Sequence, residues 1–299
     1  MKKRCLFGVM AIVLGSVLVL ASCKHSPEEP VGPEGFVRVD GGTYDGLTVL
    51  TPESGVFIAG RTVTISNLYV CPHEVTQSEY ETYCEYNGTS TSTGGVQMHL
   101  RPDGNHGAGE NYPVYYVNWY DAIAYCNSRS IAEGRTPCYS VNGDTDYTHW
   151  AGGYIPSTTS SNPNDTTARW DRVQCDFNAN GYRLPTEAEW EYLARGGNRD
   201  SFLYSGSDTL NDVAWNWRIS DIKSHEVMTK APNSLGLYDM SGNVREWCWT
   251  QGSAETKRIV RGGSFNENIE NVYKVSDSEE YTSYTRTAIL GFRVVCTAD

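Results

Sequence analysis

Positive charge is scarce in this chain: 24 Lys and Arg stand against 36 Asp and Glu among 299 residues. Three of the basic residues, Lys2, Lys3 and Arg4, precede an N-terminal apolar run, which leaves 21 basic against 36 acidic groups beyond it, a formal net of −15. A surface of that sign repels phosphate backbones and anionic headgroups, which argues against nucleic acid as a partner. No C-x-x-C pair and no H-x-x-x-H spacing occurs, so the common zinc and redox patterns are missing. There is no internal repeat and no second linker rich in Pro, Ser or charge.

What is present begins with the N-terminus. A basic start, an apolar run from Cys5 to Leu20 and the segment Leu20-Ala21-Ser22-Cys23 have the order of a signal peptide with a small-residue cleavage site. The run is shorter than the roughly 20 apolar residues of a spanning helix. Residues 1–22 therefore read as a leader, and Cys23 as the lipid-bearing first residue of an exported protein held to the bacterial membrane, at the outer membrane or cell surface, by its lipid alone. Residues 23–35, with Pro and acidic residues and almost nothing apolar, read as a stalk. The folded domain spans 36–299, a length that fits one large domain.

With Cys5 lost and Cys23 lipidated, seven of nine cysteines remain: Cys71, Cys84, Cys126, Cys138, Cys175, Cys248 and Cys296. Seven is odd, so at least one stays unpaired; the expectation is buried thiols with one or two bridges.

Between Phe36 and Tyr69, β-branched and aromatic residues alternate with turn signals, which predicts hairpins through Val37–Val39, Val56–Ile58 and Val63–Ile65. Three helix starts follow, each with a capping residue three before an acid: Thr76 and Glu79, Asn118 and Asp121, Thr186 and Glu189. Gly134 and Gly196 are the expected stops of the second and third. On the third, Ala188, Trp190, Leu193 and Ala194 form a core stripe, with Glu187 and Glu191 toward solvent. Residues 139–180 are polar and aromatic, a long ordered loop region. Few helices and many short strands define an α+β domain with much irregular structure.

Four ordered segments carry a resemblance: Pro113-Val114 through Trp119-Tyr120-Asp121-Ala122; Gly181-Tyr182-Arg183-Leu184-Pro185-Thr186-Glu187-Ala188-Glu189-Trp190; Gly236-Leu237-Tyr238-Asp239-Met240-Ser241-Gly242-Asn243-Val244-Arg245-Glu246-Trp247; and Arg261-Gly262-Gly263-Ser264-Phe265 with Gly291-Phe292-Arg293. Together they resemble the formylglycine-generating enzyme (FGE-sulfatase) family, which implies a C-type lectin-like fold over residues 36–296. The resemblance implies a structural calcium ion held by Asp239 and Glu246 with carbonyls of Gly242 and Val244, where two carboxylates bracket a Gly-Asn turn; the alternative is a metal-free turn. The family's oxidase binds copper through two cysteines placed five apart just after the RGGS motif. Glu267 and Val272 stand at those positions here, so no copper is expected and oxidase activity is not. Arg245 replaces the aromatic residue usual beside the calcium turn.

Between Phe265 and Leu290 the chain is rich in Asn, Tyr, Ser and Asp, the residues of adaptable binding surfaces. An RGGSF…GFR segment of that composition on an exported domain resembles the variable lipoproteins, treponemal ones included, of diversity-generating retroelements, where reverse transcription mutates adenines within segment 261–296 and the apolar positions keep the fold. The expectation is a surface lipoprotein that binds a protein or glycan through Asn266, Glu267, Asn268, Glu270, Asn271, Tyr273, Asp277, Ser278, Glu280, Tyr281, Ser283 and Tyr284, the tyrosines supplying contact area. The competing expectation is an enzyme of the same family with an unrecognised site; no Ser–His or other catalytic set is visible in the sequence.

Overall fold

A computed structural model describes residues 32–45, 55–58, 60–84, 102–153, 155–156 and 170–298. The leader, Cys23 and most of the stalk lie outside these residues.

The three predicted helices all form, and each begins with a reciprocal capping box. They are α1 (Gln77–Tyr83), α2 (Trp119–Ala132) and α3 (Glu187–Ala194), capped by Thr76 with Glu79, Asn118 with Asp121 and Thr186 with Glu189. In each box the cap side chain takes an amide of the first turn while the acid three residues on takes the cap's own amide, so two orphan donors are satisfied locally. The stops are also local. Gly134 N–H donates to Ile131 O and Arg135 N–H to Ser130 O; Gly196 N–H donates to Leu193 O and Gly197 N–H to Tyr192 O. These are Schellman closures around left-handed glycines, with φ of 69° at Gly134 and 59° at Gly196. A short fourth helix, α4 (Leu210–Val213), follows.

Val37–Val39 and Val63–Ile65 form strands as predicted, and the second of them lies in an antiparallel pair with the strand before it, but the remaining pairing is not that of successive hairpins. β1 (Val37–Val39) pairs antiparallel with β4 (Leu68–Val70), and β4 pairs on its other edge with β11 (Val295–Thr297), so the first and last strands of the domain share one neighbour. β2 (Gly42–Asp45) pairs with β3 (Thr62–Ile65). Val56–Ile58 is no strand: Val56 N–H donates 2.8 Å to Glu191 Oε2, and Phe57 is fully buried. A carboxylate does there what a neighbouring strand would have done. In the 139–180 region, β5 (Tyr139–Ser140) pairs with β6 (Gln174–Cys175), and a 3₁₀ turn covers Tyr147–Gly153.

The second large sheet carries the site. Its order is β10 (Leu290–Gly291), β7 (Arg245–Gln251), β8 (Lys257–Arg261), β9 (Glu279–Thr282), with β10 parallel to β7 and the other pairs antiparallel. α2 is buried along most of its length, and Trp119, Tyr120, Ile123 and Tyr125 pack with Trp247, Val260 and Phe292 in one core. A second core joins Val39, Phe57, Leu68 and Val70 to Trp190, Leu193, Met240 and Val295.

Glu191, expected at the surface, is fully buried and binds Arg195 Nε at 2.9 Å and Nη2 at 2.8 Å, as well as Arg261. Its burial is tolerable because two guanidinium groups and an amide occupy its oxygens. Glu187 remains partly exposed, as expected. All seven described cysteines are free thiols, six of them buried, and no bridge occurs among the described residues. Cys126, which lies within the α2 core, serves as a small apolar residue.

Candidate functional site

The RGGS motif ends β8 and turns the chain on two left-handed glycines, Gly262 (φ 95°) and Gly263 (φ 72°). Phe265 beyond them is fully buried, and its amide donates to Asn243 O at 2.7 Å, which docks the motif on the Gly242-Asn243 turn. Gly242 is required there: φ is 88°, and a Cβ would stand 2.5 Å from Trp215 O. The two motifs thus meet, and the segment that follows is pinned at its start.

At the positions the family's oxidase gives to copper ligands, the structure places an ion pair and an apolar side chain. Glu267 Oε1 accepts from Arg245 Nε at 2.7 Å and Nη2 at 2.5 Å, and Arg245 Nη2 also meets Glu279 Oε1 at 3.1 Å. The Arg245 side chain is fully buried, and Val272 is 6% exposed. Arg245 Nη1 and Glu267 Oε2 are buried without a hydrogen-bond partner. Neither Glu267 nor Val272 offers the soft thiolate that Cu(I) chemistry requires. The two departures noted in the sequence, Arg245 and Glu267, are therefore one substitution in physical terms: each is the other's counter-ion.

The predicted binding residues divide by exposure. Asn266, Asn268, Glu270, Asn271 and Ser278 are exposed, and Ile269 is 61% exposed beside them. Glu267, Asp277, Glu280, Tyr281 and Tyr284 are half-buried, Glu280 being paired with Lys257. Two residues are not surface residues at all. Tyr273 is fully buried, its hydroxyl donating to Ser264 O (2.8 Å) or Glu267 O (2.6 Å), while its own carbonyl accepts from Ser241 Oγ. Ser283 is fully buried; its Oγ lies 2.9 Å from Tyr120 Oη and 3.1 Å from Thr256 O. Tyr273 and Ser283 are thus corrected from contact residues to anchors, because composition does not tell which side of an irregular segment faces the core. Tyr281 and Tyr284 also pack partly on the α2 core.

The exposed run 266–271 has neighbours that sequence reasoning missed. Arg218 Nη2 lies 3.5 Å from Glu270 Oε2, and Tyr204 Oη donates to Glu270 Oε1 at 2.9 Å. The adjacent Trp217 is 41% exposed. Nothing in its local sequence separates it from the buried tryptophans.

The expected calcium turn is mostly spoken for. Glu246 accepts from Arg293 Nε (2.7 Å) and Nη2 (2.6 Å) and from Trp190 Nε1 (2.7 Å). It does not fit as a calcium ligand, because Arg293 already neutralises it. Asp239 Oδ2 accepts from Met228 N–H at 2.8 Å, while Oδ1 is buried without a partner, so Asp239 alone among the two expected carboxylates keeps a free oxygen. Burial pushes the Asp239 carboxyl up to about 6 despite that amide and Arg293. Glu74, which binds Val244 N–H and the Asn243 side-chain amide, is driven well above the usual carboxylate range by burial and by Asp239 and Glu246. A hard cation takes six to eight oxygens; one free carboxylate oxygen does not make that set.

His73 stands next to this cluster. Its Nδ1 is 2.8 Å from Glu74 O, its ring nitrogens are 3.8 and 3.9 Å from Cys71 Sγ, and Glu79 Oε2 is 3.9 Å away. Burial alone would lower its pKa, but the contact with Cys71 and the Glu79 charge outweigh it and leave the imidazole at about 9.

Lectin-like topology, the docked GNV and RGGS turns and the capped α3 corner together define the class. The chain belongs to the FGE-sulfatase family: the family model described as the sulfatase-modifying factor enzyme 1-like domain matches residues 23–298. Among particular relatives, it is 34% identical to "Chaperone protein LppX" of Paenibacillus barcinonensis over 99% of both chains. It is 33% identical to the formylglycine-generating enzyme of Streptomyces coelicolor over 63% of this chain, a match that spans 54% of the enzyme. Treponema denticola variable protein 1 superposes with a TM-score of 0.70 at 30% identity, covering 88% of this chain and 94% of that one. The structure titled CarF gives a TM-score of 0.66 at 27% identity over 90% of this chain and all of the other.

Proposed function

We propose that this protein is an exported lipoprotein that binds a protein or glycan through the surface formed by residues 266–271, and that it is not a copper-dependent oxidase. The observation that carries the reading is the Arg245–Glu267 pair: it fills one copper-ligand position while buried Val272 fills the other, and with Val272 and Tyr273 it underlies the exposed Asn266, Asn268, Ile269, Glu270 and Asn271. A rigid base under variable polar side chains is the arrangement that lowers the ordering cost of binding. The likeness to a relative named a chaperone protein and to a treponemal variable protein supports a binding role over an enzymatic one.

The test is a panel of cell-surface proteins and glycans screened with the purified domain. Truncating Asn268, Ile269 or Trp217 to Ala should weaken a hit by about 1–4 kcal/mol where the residue is a hot spot, with melting changed little. Tyr273→Ala should instead unfold the domain. Binding untouched by all three surface changes would move the recognition face elsewhere. Adenine-directed diversification makes a separate demand: a second copy of the 261–296 coding stretch and a reverse transcriptase gene nearby.

A further inference from the structure

We infer that Cys71, His73 and Glu79 form a binding site for a borderline divalent cation of the zinc class, open on one side to a cleft of about 410 Å³. One donor atom from each residue lies within 4.8 Å of the others. Three neighbouring features of the chain bring them together. Cys71 closes β4, its N–H donating to Val294 O at 3.1 Å and its carbonyl accepting from Arg293 Nη1 at 3.3 Å, so the thiol is placed by the sheet. Pro72 then turns the chain, and its carbonyl accepts Tyr238 N–H at 2.8 Å. Glu79 comes from the first turn of α1.

The imidazole is held by a backbone partner, and Nδ1 is the ring nitrogen nearest Glu79 Oε2, at 3.9 Å, so ligation through Nε2 needs the ring to tilt toward Glu79. Donation from Nδ1 to Glu74 O commits that nitrogen as N–H, so Nε2, 3.9 Å from Cys71 Sγ, is the nitrogen a metal takes when it displaces the second ring proton of the imidazolium. A backbone acceptor behind a histidine is the usual support of a metal-bound ring. Glu79 Oε2 accepts Thr76 N–H at 2.9 Å and Oε1 lies 3.5 Å from Arg129 Nη1, a looser contact than the bidentate Arg293–Glu246 pair; each carboxylate oxygen keeps a second lone pair, so capping and ligation are compatible. Bond lengths of about 2.3 Å to sulfur and 2.0–2.2 Å to nitrogen and oxygen put the donors of a tetrahedral shell roughly 3.3–3.7 Å apart. Closure by about 1 Å is therefore needed, and the half-exposed His73 and Glu79 side chains can supply it while Cys71 stays fixed. His73 and Glu79 line the cleft, which leaves its water for the fourth position, and Glu110 and Glu226 on the same walls raise the local cation concentration. One sulfur and one imidazole select against calcium and magnesium, which take oxygen. On binding, the Cys71 thiol and the Nε2–H of the His73 imidazolium both give their protons to solvent.

The experiment is titration of the purified, metal-free full chain with Co(II), followed by displacement with Zn(II). One ion per chain should bind with a thiolate-to-cobalt charge-transfer band and the intense visible bands of tetrahedral cobalt. Cys71→Ser should abolish the charge-transfer band. His73→Ala should weaken zinc by about 100-fold, and Glu79→Gln, which keeps a capping oxygen, by about 10-fold. His149→Ala should change nothing; it removes the exposed Asp144, Asp146 and His149 group, the competing surface site. A pale six-coordinate spectrum, a charge-transfer band that survives Cys71→Ser, displacement by calcium, or loss of binding in His149→Ala would overturn the site. Should Cys71→Ser fail to fold, unchanged zinc affinity in both His73→Ala and Glu79→Gln would overturn it equally.

Discussion

Asp239 and Glu246 share a buried turn but differ in what balances their charge. Glu246 has Arg293; Asp239 has one amide and a bare Oδ1. With its carboxyl at about 6 when folded and about 3.8 when unfolded, Asp239 holds its proton more tightly in the native state. Its contribution to stability is therefore complete below about pH 3.8 and lost as pH rises through about 6. Asp239→Asn should keep the oxygen that Met228 N–H needs and remove that loss. Stability at pH 7 should rise by an amount on the order of 1–3 kcal/mol, with little change near pH 4. A bound calcium predicts the reverse, a lower melting temperature at pH 7 and a chelator effect that the variant erases, so melts at both pH values with and without chelator separate the two. Glu191 makes the opposite case, a buried acid with every oxygen engaged. Glu191→Gln leaves Arg195 without its counter-charge and Arg261 with only the more distant Glu187 at 3.9 Å, and should cost about 3–5 kcal/mol in urea unfolding. A loss under about 1 kcal/mol would mean that water reaches these groups.

The helices of this fold stand on local signals, and their ends can be tested one by one. Thr186→Ala removes the cap of α3 and should cost about 1 kcal/mol, while Thr186→Ser should cost little. The two stops differ in what surrounds them. A Cβ on Gly134 meets nothing within 4 Å, whereas on Gly196 it would lie 2.2 Å from Ser234 Oγ and 2.3 Å from Asp200 Oδ2. Gly134→Ala should show only the left-handed penalty of about 1–2 kcal/mol, and Gly196→Ala more; equal losses by thermal melting would show that Ser234 and Asp200 simply move aside. This is also why the helices were legible in the sequence, whereas of the strands β1 and β3 were legible and their long-range pairing was not. A cap and its acid are three residues apart, but β1 finds β4 only across the intervening β2–β3 hairpin, and β4 finds β11 at the far end of the chain. Glu191 was misjudged for the same reason, since Arg261 is distant in sequence. The RGGS and GNV motifs located the site, and the missing cysteines were plain to read; that Arg245 had come with Glu267 was visible only in space. Tyr273 could not be told from Tyr281 by composition, and Cys71-Pro72-His73 with Glu79 follows no familiar ligand spacing.

At the scale of the whole molecule, the binding segment is a loop held at both ends. Arg261 and the glycines after it fix its start, Arg286 binds both oxygens of Asp121 at the head of α2, and β10 and β11 close it. Exposed substitutions among 266–271 should accordingly leave stability within about 0.5 kcal/mol, whereas Arg286→Ala, which strips a buried carboxylate, should cost about 3–5 kcal/mol. Denaturation of such a set would check that the division between anchors and exposed positions is real. Membrane attachment is tested separately: Cys23→Ser should abolish incorporation of labelled fatty acid, and equal labelling of the variant would end the lipoprotein reading.

The pairing of Val70 with both Val37 and Val295 also sets an order in time. A ribosome delivers Val295 more than 200 residues after Val70, so no nascent chain shorter than that can complete the sheet that β4 organises. Until β11 has emerged, β4 keeps one edge unpaired, and closure across so long a stretch is entropically slow. A prematurely terminated product is therefore not a smaller working domain but an open strand edge, exposed to proteolysis and to pairing with other chains.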